Sequence, residues 1–169
     1  EAACQGTDRT GYACVYNQGN WSRIEKLGWP VVLVLEGPTE GYLLLRGISD
    51  DALLVGVEGS SRVLERRQIA DRWLGAYLVA WPQSPDWPRQ VRRGDTGPAV
   101  DTVLSLAAMA EEPLPGATTF DLRFERWLMG FQQRHGLEMD GIVGPKTLLY
   151  LMRNSVTEPN LLSDWPGSS

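Results

Sequence analysis

The chain has 169 residues and a formal net charge of −5, with 43% hydrophobic and 22% charged residues. Those proportions exclude a disordered, collagenous or disulfide-dense chain and suit one domain or two small ones. An acidic balance without a basic stripe argues against a nucleic-acid-binding surface, and Arg66-Arg67 and Arg92-Arg93 read as solvated pairs.

The longest apolar run, Val31–Leu35, falls far short of the roughly 18 residues a membrane span needs. A start at Glu1 without methionine or leader suggests a processed product or excised fragment, with any signal or anchor outside it. One histidine, His135, and two cysteines, Cys4 and Cys14, limit the chemistry. No metal site and no cofactor is expected, since a His-rich zinc site cannot be assembled and no P-loop, GxGxxG or GxSxG is present.

Taken in chain order, Cys4 and Cys14 flank a turn-rich segment with Gly6, Asp8 and Gly11. That segment can bend enough to bring two Cα atoms within disulfide range, so a Cys4–Cys14 bond and an oxidising compartment are expected over free thiols. Asn20 should cap a short helix with Trp21, Ile24 and Leu27 on one face and Gly28 at its end. Pro30 then opens Val31–Leu35, an all-apolar run that reads as a strand buried on both faces. Strands over 42–46, 53–57 and 62–64 follow after short turns, which demand antiparallel neighbours. A helix over 69–74 and a last strand over 76–81 complete an α+β unit.

Three prolines within 82–88 read as a stiff linker, placing the domains at 1–84 and 85–154 with a tail over 155–169. Beyond the linker the apolar period lengthens to 3.6. Val100, Val103, Leu104 and Ala107 make one helical face, and Phe120, Phe124, Trp127, Leu128 and Phe131 a second, capped by Asp121. Gly144-Pro145 starts a third helix facing inward through Leu148, Leu149, Leu151 and Met152. The expected unit is a three-helix bundle with its aromatic stripe in the core. The polar tail should dock, if it docks, through Leu161, Leu162 and Trp165.

Three stretches of this second half resemble the small peptidoglycan-binding domain found beside cell-wall enzymes. They are Val91 to Val100 (VRRGDTGPAV), Phe120-Asp121 with Phe131-Gln132, and His135 to Thr147 (HGLEMDGIVGPKT). Both Asp-containing corners lead into helix starts, whose free N–H groups suit carboxylates and carbonyls of a wall peptide. The candidate contacts are Arg93, Asp95, Gln132, Asp140, Gly141, Ile142 and Val143. Arg93 and Gln132 would donate to the peptide stem, and Asp140 to Val143 would present backbone at a turn. For any one of these residues taken singly a structural role is the favoured reading, Ile142 and Val143 as the cap of the bundle.

The first half resembles the papain-like domain of bacteriocin-processing cysteine peptidases, through Pro30–Leu35, Gly41–Leu45, Leu53–Val57 and Trp73–Leu78. Gly41 stands where those peptidases carry their histidine base, Glu58 is at best the orienting group, and the nucleophile would precede Glu1. A Cys–His mechanism cannot run without its base, so a non-catalytic scaffold is implied.

A degenerate peptidase-like domain followed by a peptidoglycan-binding domain resembles the periplasmic part of the general secretion pathway protein A family. That resemblance implies a tether to the inner membrane and an ATPase domain upstream. It also implies peptidoglycan, a B protein and the secretin as partners, in placing the type II secretin through the wall. The competing expectations are a wall-targeted peptidase or hydrolase fragment, and a protein-docking module without wall binding.

Overall fold

The structure, a computed structural model, describes residues 4, 12–57, 59–83, 87–153 and 161–162. Those residues fall into two compact units, one running to Pro82 and including Leu161 and Leu162, the other beginning at Gln83. The boundary expected at 84 lies on residues 84–86, outside the described residues.

The first unit is a six-stranded antiparallel sheet, ordered β1-β6-β2-β3-β4-β5. Its strands are β1 (Tyr12–Gln18), β2 (Val31–Leu35), β3 (Gly41–Ile48), β4 (Ala52–Val57), β5 (Ser60–Glu65) and β6 (Ala76–Pro82). Helix α1 (Trp21–Leu27) is capped by Asn20, whose side chain accepts from the Arg23 N–H, and closes on Gly28. Ile24 and Leu27 of this helix are fully buried.

Alternation within each strand divides the apolar residues between the two faces. Val31, Leu33, Leu45, Leu53, Val55, Tyr77, Val79 and Trp81 are all buried. The registers Val31–Leu45, Leu45–Val55 and Leu33–Tyr77 put them on one side. On the other side Val34, Ala76 and Leu78 form a cluster with Val32, Cys4 and Cys14 packed against it. β2 is thus apolar on both faces, as its unbroken run requires.

Cys4 and Cys14 are disulfide-bonded, with Cα atoms 5.4 Å apart. The bond ties the chain ahead of β1 to the apolar cluster. Closing so short a loop contributes about 3 kcal/mol in the chain-entropy model. Urea unfolding with and without reductant should therefore differ by about that amount, and coincident curves would exclude it.

Two elements differ from the sequence expectation. No strand is expected ahead of Asn20 from the sequence, where the chain between Cys4 and Cys14 reads as turn-rich, yet Tyr12–Gln18 pairs along its whole length with β6. Its alternation is concealed because Tyr12 and Tyr16 remain exposed on a half-covered edge strand. The helix expected over 69–74 is instead a 3-10 turn over Arg66–Ile69. Gln68 Oε1 accepts from the Glu65 N–H at 2.7 Å and starts the turn early, and Gly75 then takes φ +96°.

Leu161 and Leu162 return to this sheet. The Leu161 N–H donates to Gly28 O, the Leu162 N–H to Arg46 O, and the Ile48 N–H to Leu162 O, each at 2.9 Å. Pairing of β3 with β2 ends at Leu45–Val31, so Leu162 satisfies the stretch of β3 that β2 does not reach. The expected docking point at Trp165 lies outside the described residues.

The second unit holds α2 (Pro98–Ala108), α3 (Leu122–Arg134) and α4 (Pro145–Met152). Val100, Val103, Leu104 and Ala107 are buried as their period requires, together with Leu106. Asp121 caps α3 by accepting from the Phe124 N–H at 3.0 Å. Tyr150 rather than Met152 completes the buried face of α4. Phe120, Phe124, Leu128 and Phe131 are core, whereas Trp127 is half-exposed and donates its indole N–H to Glu112 O at 2.9 Å.

Candidate functional site

The two corners singled out in the sequence are neighbours. Val91 and Val143 exchange backbone hydrogen bonds of 3.1 and 2.8 Å, an isolated antiparallel bridge that seats the first corner beside the second. Asp95 Oδ2 accepts from the Arg92 N–H at 2.9 Å and closes the first turn from within. The Gly94 N–H donates to Phe120 O at 3.0 Å, fixing that turn against the entry to α3.

Gln132 organises the second corner. It is 1% exposed. Its Nε2 donates to Asp140 Oδ1 at 2.7 Å and Ile142 O at 3.0 Å, with Thr147 Oγ1 at 3.2 Å. Its Oε1 accepts from the Gly141 N–H at 3.0 Å. Asp140 Oδ1 also accepts from the Ile142 N–H at 2.9 Å. One buried amide therefore holds the turn and the first turn of α4 together, as buried polar groups require partners.

This alters the reading of the candidates. Gln132, Gly141 and Val143 are buried, and the Gln132 amide is committed to the loop rather than presented to a ligand. Val143 belongs to the core and Ile142 is half-buried. Arg93, Asp95 and Asp140 are exposed.

Glu125 of α3 joins the corners, a residue that sequence reasoning passed over. Its carboxylate takes an ion pair from Arg93 Nη1 at 2.9 Å, with the arginine side chain 51% exposed. Gly141, at φ +68°, lies so close that a Cβ there would come within 2.9 Å of Glu125 Cγ. Its spacing from the Asp121 cap puts it in the first turn of α3, but nothing local in the sequence points it at either corner. The result is a surface with Arg93, Glu125, Asp140 and Ile142 at its rim over a rigid floor. Arg93 is its hydrogen-bond donor towards anions, with several guanidinium N–H groups in fork geometry.

His135 lies between Phe131 and Tyr150, at ring distances of 4.4 and 5.2 Å. Burial lowers its pKa, Arg153 and Arg134 lower it further, and Glu111 opposes them. It is a neutral packed ring at neutral pH, and the stability this adds fades as pH falls through the imidazole range.

In the first unit, Gly41 is the position that the peptidase resemblance would give to a histidine base. A Cβ at Gly41 would lie 3.3 Å from Arg72 Nη2. Arg72 donates through Nε to Glu36 O at 2.9 Å and through Nη2 to Thr39 O at 3.4 Å. An arginine stays protonated and cannot accept a proton from a thiol. Glu58 lies outside the described residues. Among the described residues no cluster of three or more metal-ligating side chains occurs.

Fold and corners together define a two-unit α+β chain, a six-stranded antiparallel sheet in one unit and three helices in the other. The family model of a putative peptidoglycan-binding domain matches residues 108–151. Over most of its length the chain is similar to general secretion pathway protein A. It is 27% identical over 157 residues to that protein of Aeromonas hydrophila, covering 89% of this chain and 28% of the relative. It is 25% identical over 156 residues to the putative general secretion pathway protein A of Escherichia coli K12, covering 89% and 31%. The chain thus spans under a third of those curated relatives. The crystal structure of a periplasmic domain of the EpsAB fusion protein of the Vibrio vulnificus type II secretion system has the same fold. Its TM-score is 0.60 at 23% identity, over 85% of this chain and 64% of that one.

Proposed function

We propose that this chain is a non-catalytic, periplasmic, wall-binding part of a type II secretion protein. Its helical unit holds peptidoglycan while the assembly to which it belongs is placed through the wall. The observation that carries the reading is the joined pair of corners, with Arg93 exposed at the rim of a turn locked by Gln132. The peptidoglycan-binding family match over 108–151 and the similarity to general secretion pathway protein A support it. Wall contact is assigned to the exposed side chains Arg93, Asp95 and Asp140 and to half-buried Ile142, while buried Gly141 and Val143, whose N–H groups are held by Gln132 and Val91, fix the corner. Gln132 is a positioning residue. A B protein and the secretin are the proposed partners, and an inner-membrane tether belongs to the longer protein.

The absence of catalysis rests on the Gly41–Arg72 arrangement, which supplies a cation where a base is needed.

Co-sedimentation with insoluble peptidoglycan tests both claims. Arg93→Ala should weaken binding about tenfold or more, the loss of a charged hydrogen bond. Its thermal unfolding should stay close to that of the parent, since the Arg93–Glu125 pair is half-exposed and worth little. Binding unchanged by the substitution would remove Arg93 from the site. Soluble muropeptides released during the incubation would overturn the non-catalytic reading.

A further inference from the structure

The first unit carries a cleft of ≈ 430 Å³ that the wall-binding role does not use. Gly19, Asn20 and Trp21 line one side, and Arg66, Arg67, Ala70, Trp73, Leu74 and Gly75 the other. We infer that it docks an acidic peptide segment of a partner protein, with an apolar side chain on the tryptophan floor and a carboxylate at the arginine rim.

The floor is prebuilt. Trp21 and Trp73 pack at 3.8 Å between ring centroids, and the Trp73 indole N–H is fixed by Ala76 O at 2.8 Å. The Gly19 N–H donates to Gly75 O at 2.9 Å, and Gly75 approaches so closely that a Cβ there would lie 2.4 Å from Gly19 O. Leu74 stays 57% exposed beside this apolar surface. An exposed leucine beside a fixed aromatic floor is the pattern of an anchor pocket.

The charge of the lining selects the partner. It contains two arginines and no acidic residue, in a chain of net charge −5. Arg66 is held over the Trp21 ring at 5.2 Å and paired through Nη2 with Glu25 at 3.0 Å. Its buried Nε has no hydrogen-bond partner. Arg67 pairs through Nε with Glu65 and is 82% exposed at the side chain. Glu25 and Glu65 do not line the cleft, and a guanidinium has N–H groups to spare for a second carboxylate. Positive rim charges meeting an acidic segment supply orientation and on-rate, and the apolar floor supplies residence.

The probe is the peptide acetyl-Leu-Asp-Glu-Leu-amide, against its uncharged counterpart acetyl-Leu-Asn-Gln-Leu-amide. Each is titrated into the full chain while the indole N–H resonances of Trp21 and Trp73 are followed. The acidic peptide should shift both saturably and bind about tenfold tighter than the amide form. Arg67→Glu and Leu74→Ser lie at exposed positions, and each should weaken binding at least about fivefold without moving the unfolding midpoint or peptidoglycan co-sedimentation. The inference is overturned if neither peptide moves the two resonances at millimolar concentration or if both bind alike. It is equally overturned if soluble muropeptides displace the acidic peptide, which would make the cleft a wall site. Because co-sedimentation is read separately, failure here and failure of wall binding are distinguishable.

Discussion

Replacing Gln132 by alanine is expected to cost the helical unit about 3–5 kcal/mol. The side chain is 1% exposed, and its amide satisfies the Gly141 N–H, Ile142 O and Asp140 Oδ1. Truncation leaves the buried Gly141 N–H and the Ile142 carbonyl without their partner, at about 1–3 kcal/mol each, and opens a small cavity beside Thr147. For a unit of this size such a loss should lower its melting temperature by well over about 10 °C.

Gln132→Glu should not rescue it. A carboxylate can still accept from the Gly141 N–H, but it faces Asp140 Oδ1 and Ile142 O without a proton to donate and stays buried as a charge. Circular dichroism of the full chain during heating is the measurement. A melting temperature within about 2 °C of the parent would show that the amide network contributes little. Wall binding in this variant should fall together with folding, in contrast to Arg93→Ala, where binding falls alone.

The contrast between Arg93 and Gln132 marks how much of the site was legible in the sequence. Both are donors beside glycine-containing turns, so residue type and spacing place them equally. What separates them is burial, and burial depends on which face of α3 meets the corner. Gln132 follows Phe131 on the inward face and is read correctly only when the apolar stripe is extended by one polar residue. Val143 posed the same problem. Its burial is set by the bridge to Val91, a contact across 52 residues with no local signal. Glu125 was missed because carboxylates on an amphipathic helix are ordinarily solvated, and only the approach of Gly141 makes this one part of a site.

The fold was more legible where a strong period met clear punctuation. β2, α1 and the three helices of the second unit stand where their patterns place them, the helices at their Asn20, Pro98, Asp121 and Pro145 starts. β1 was not, because an edge strand with tyrosines outward lacks the polar alternation that identifies a half-buried strand. The 3-10 turn over Arg66–Ile69 replaced an expected helix because a side-chain cap at Gln68 competes with the regular ladder. The two leucines in a polar tail mark Leu161 and Leu162 as its docking point, but the strand that Leu162 meets has no sequence signal. That pairing is set by the shortness of β2, which leaves Arg46 O and Ile48 N–H in need of partners.

The second large effect is expected from Gly75→Ala, which should destabilise the first unit by about 3–4 kcal/mol. Gly75 holds φ +96°, where an L-residue is strained by about 1–2 kcal/mol. The added methyl would also lie 2.4 Å from the carbonyl oxygen of Gly19. That oxygen is backbone and cannot swing away as a side chain would. The Gly19 N–H to Gly75 O bond of 2.9 Å holds the two segments together, so relief of the clash requires breaking it, for about 1 kcal/mol more. The movement would part α1 from the entry to β6, where the tilted rings of Trp21 and Trp73 pack with centroids 3.8 Å apart. Binding of the acidic peptide should therefore be lost in this variant even at temperatures where the sheet remains folded. Gly59→Ala is the control, since Gly59 also has positive φ, +80°, but has nothing within 4 Å of its Cβ position. Its cost should be the backbone strain alone, about 1–2 kcal/mol. Urea unfolding midpoints compared between the two variants isolate the contact from the conformation, and equal losses would show that the approach of Gly19 to Gly75 contributes nothing beyond it.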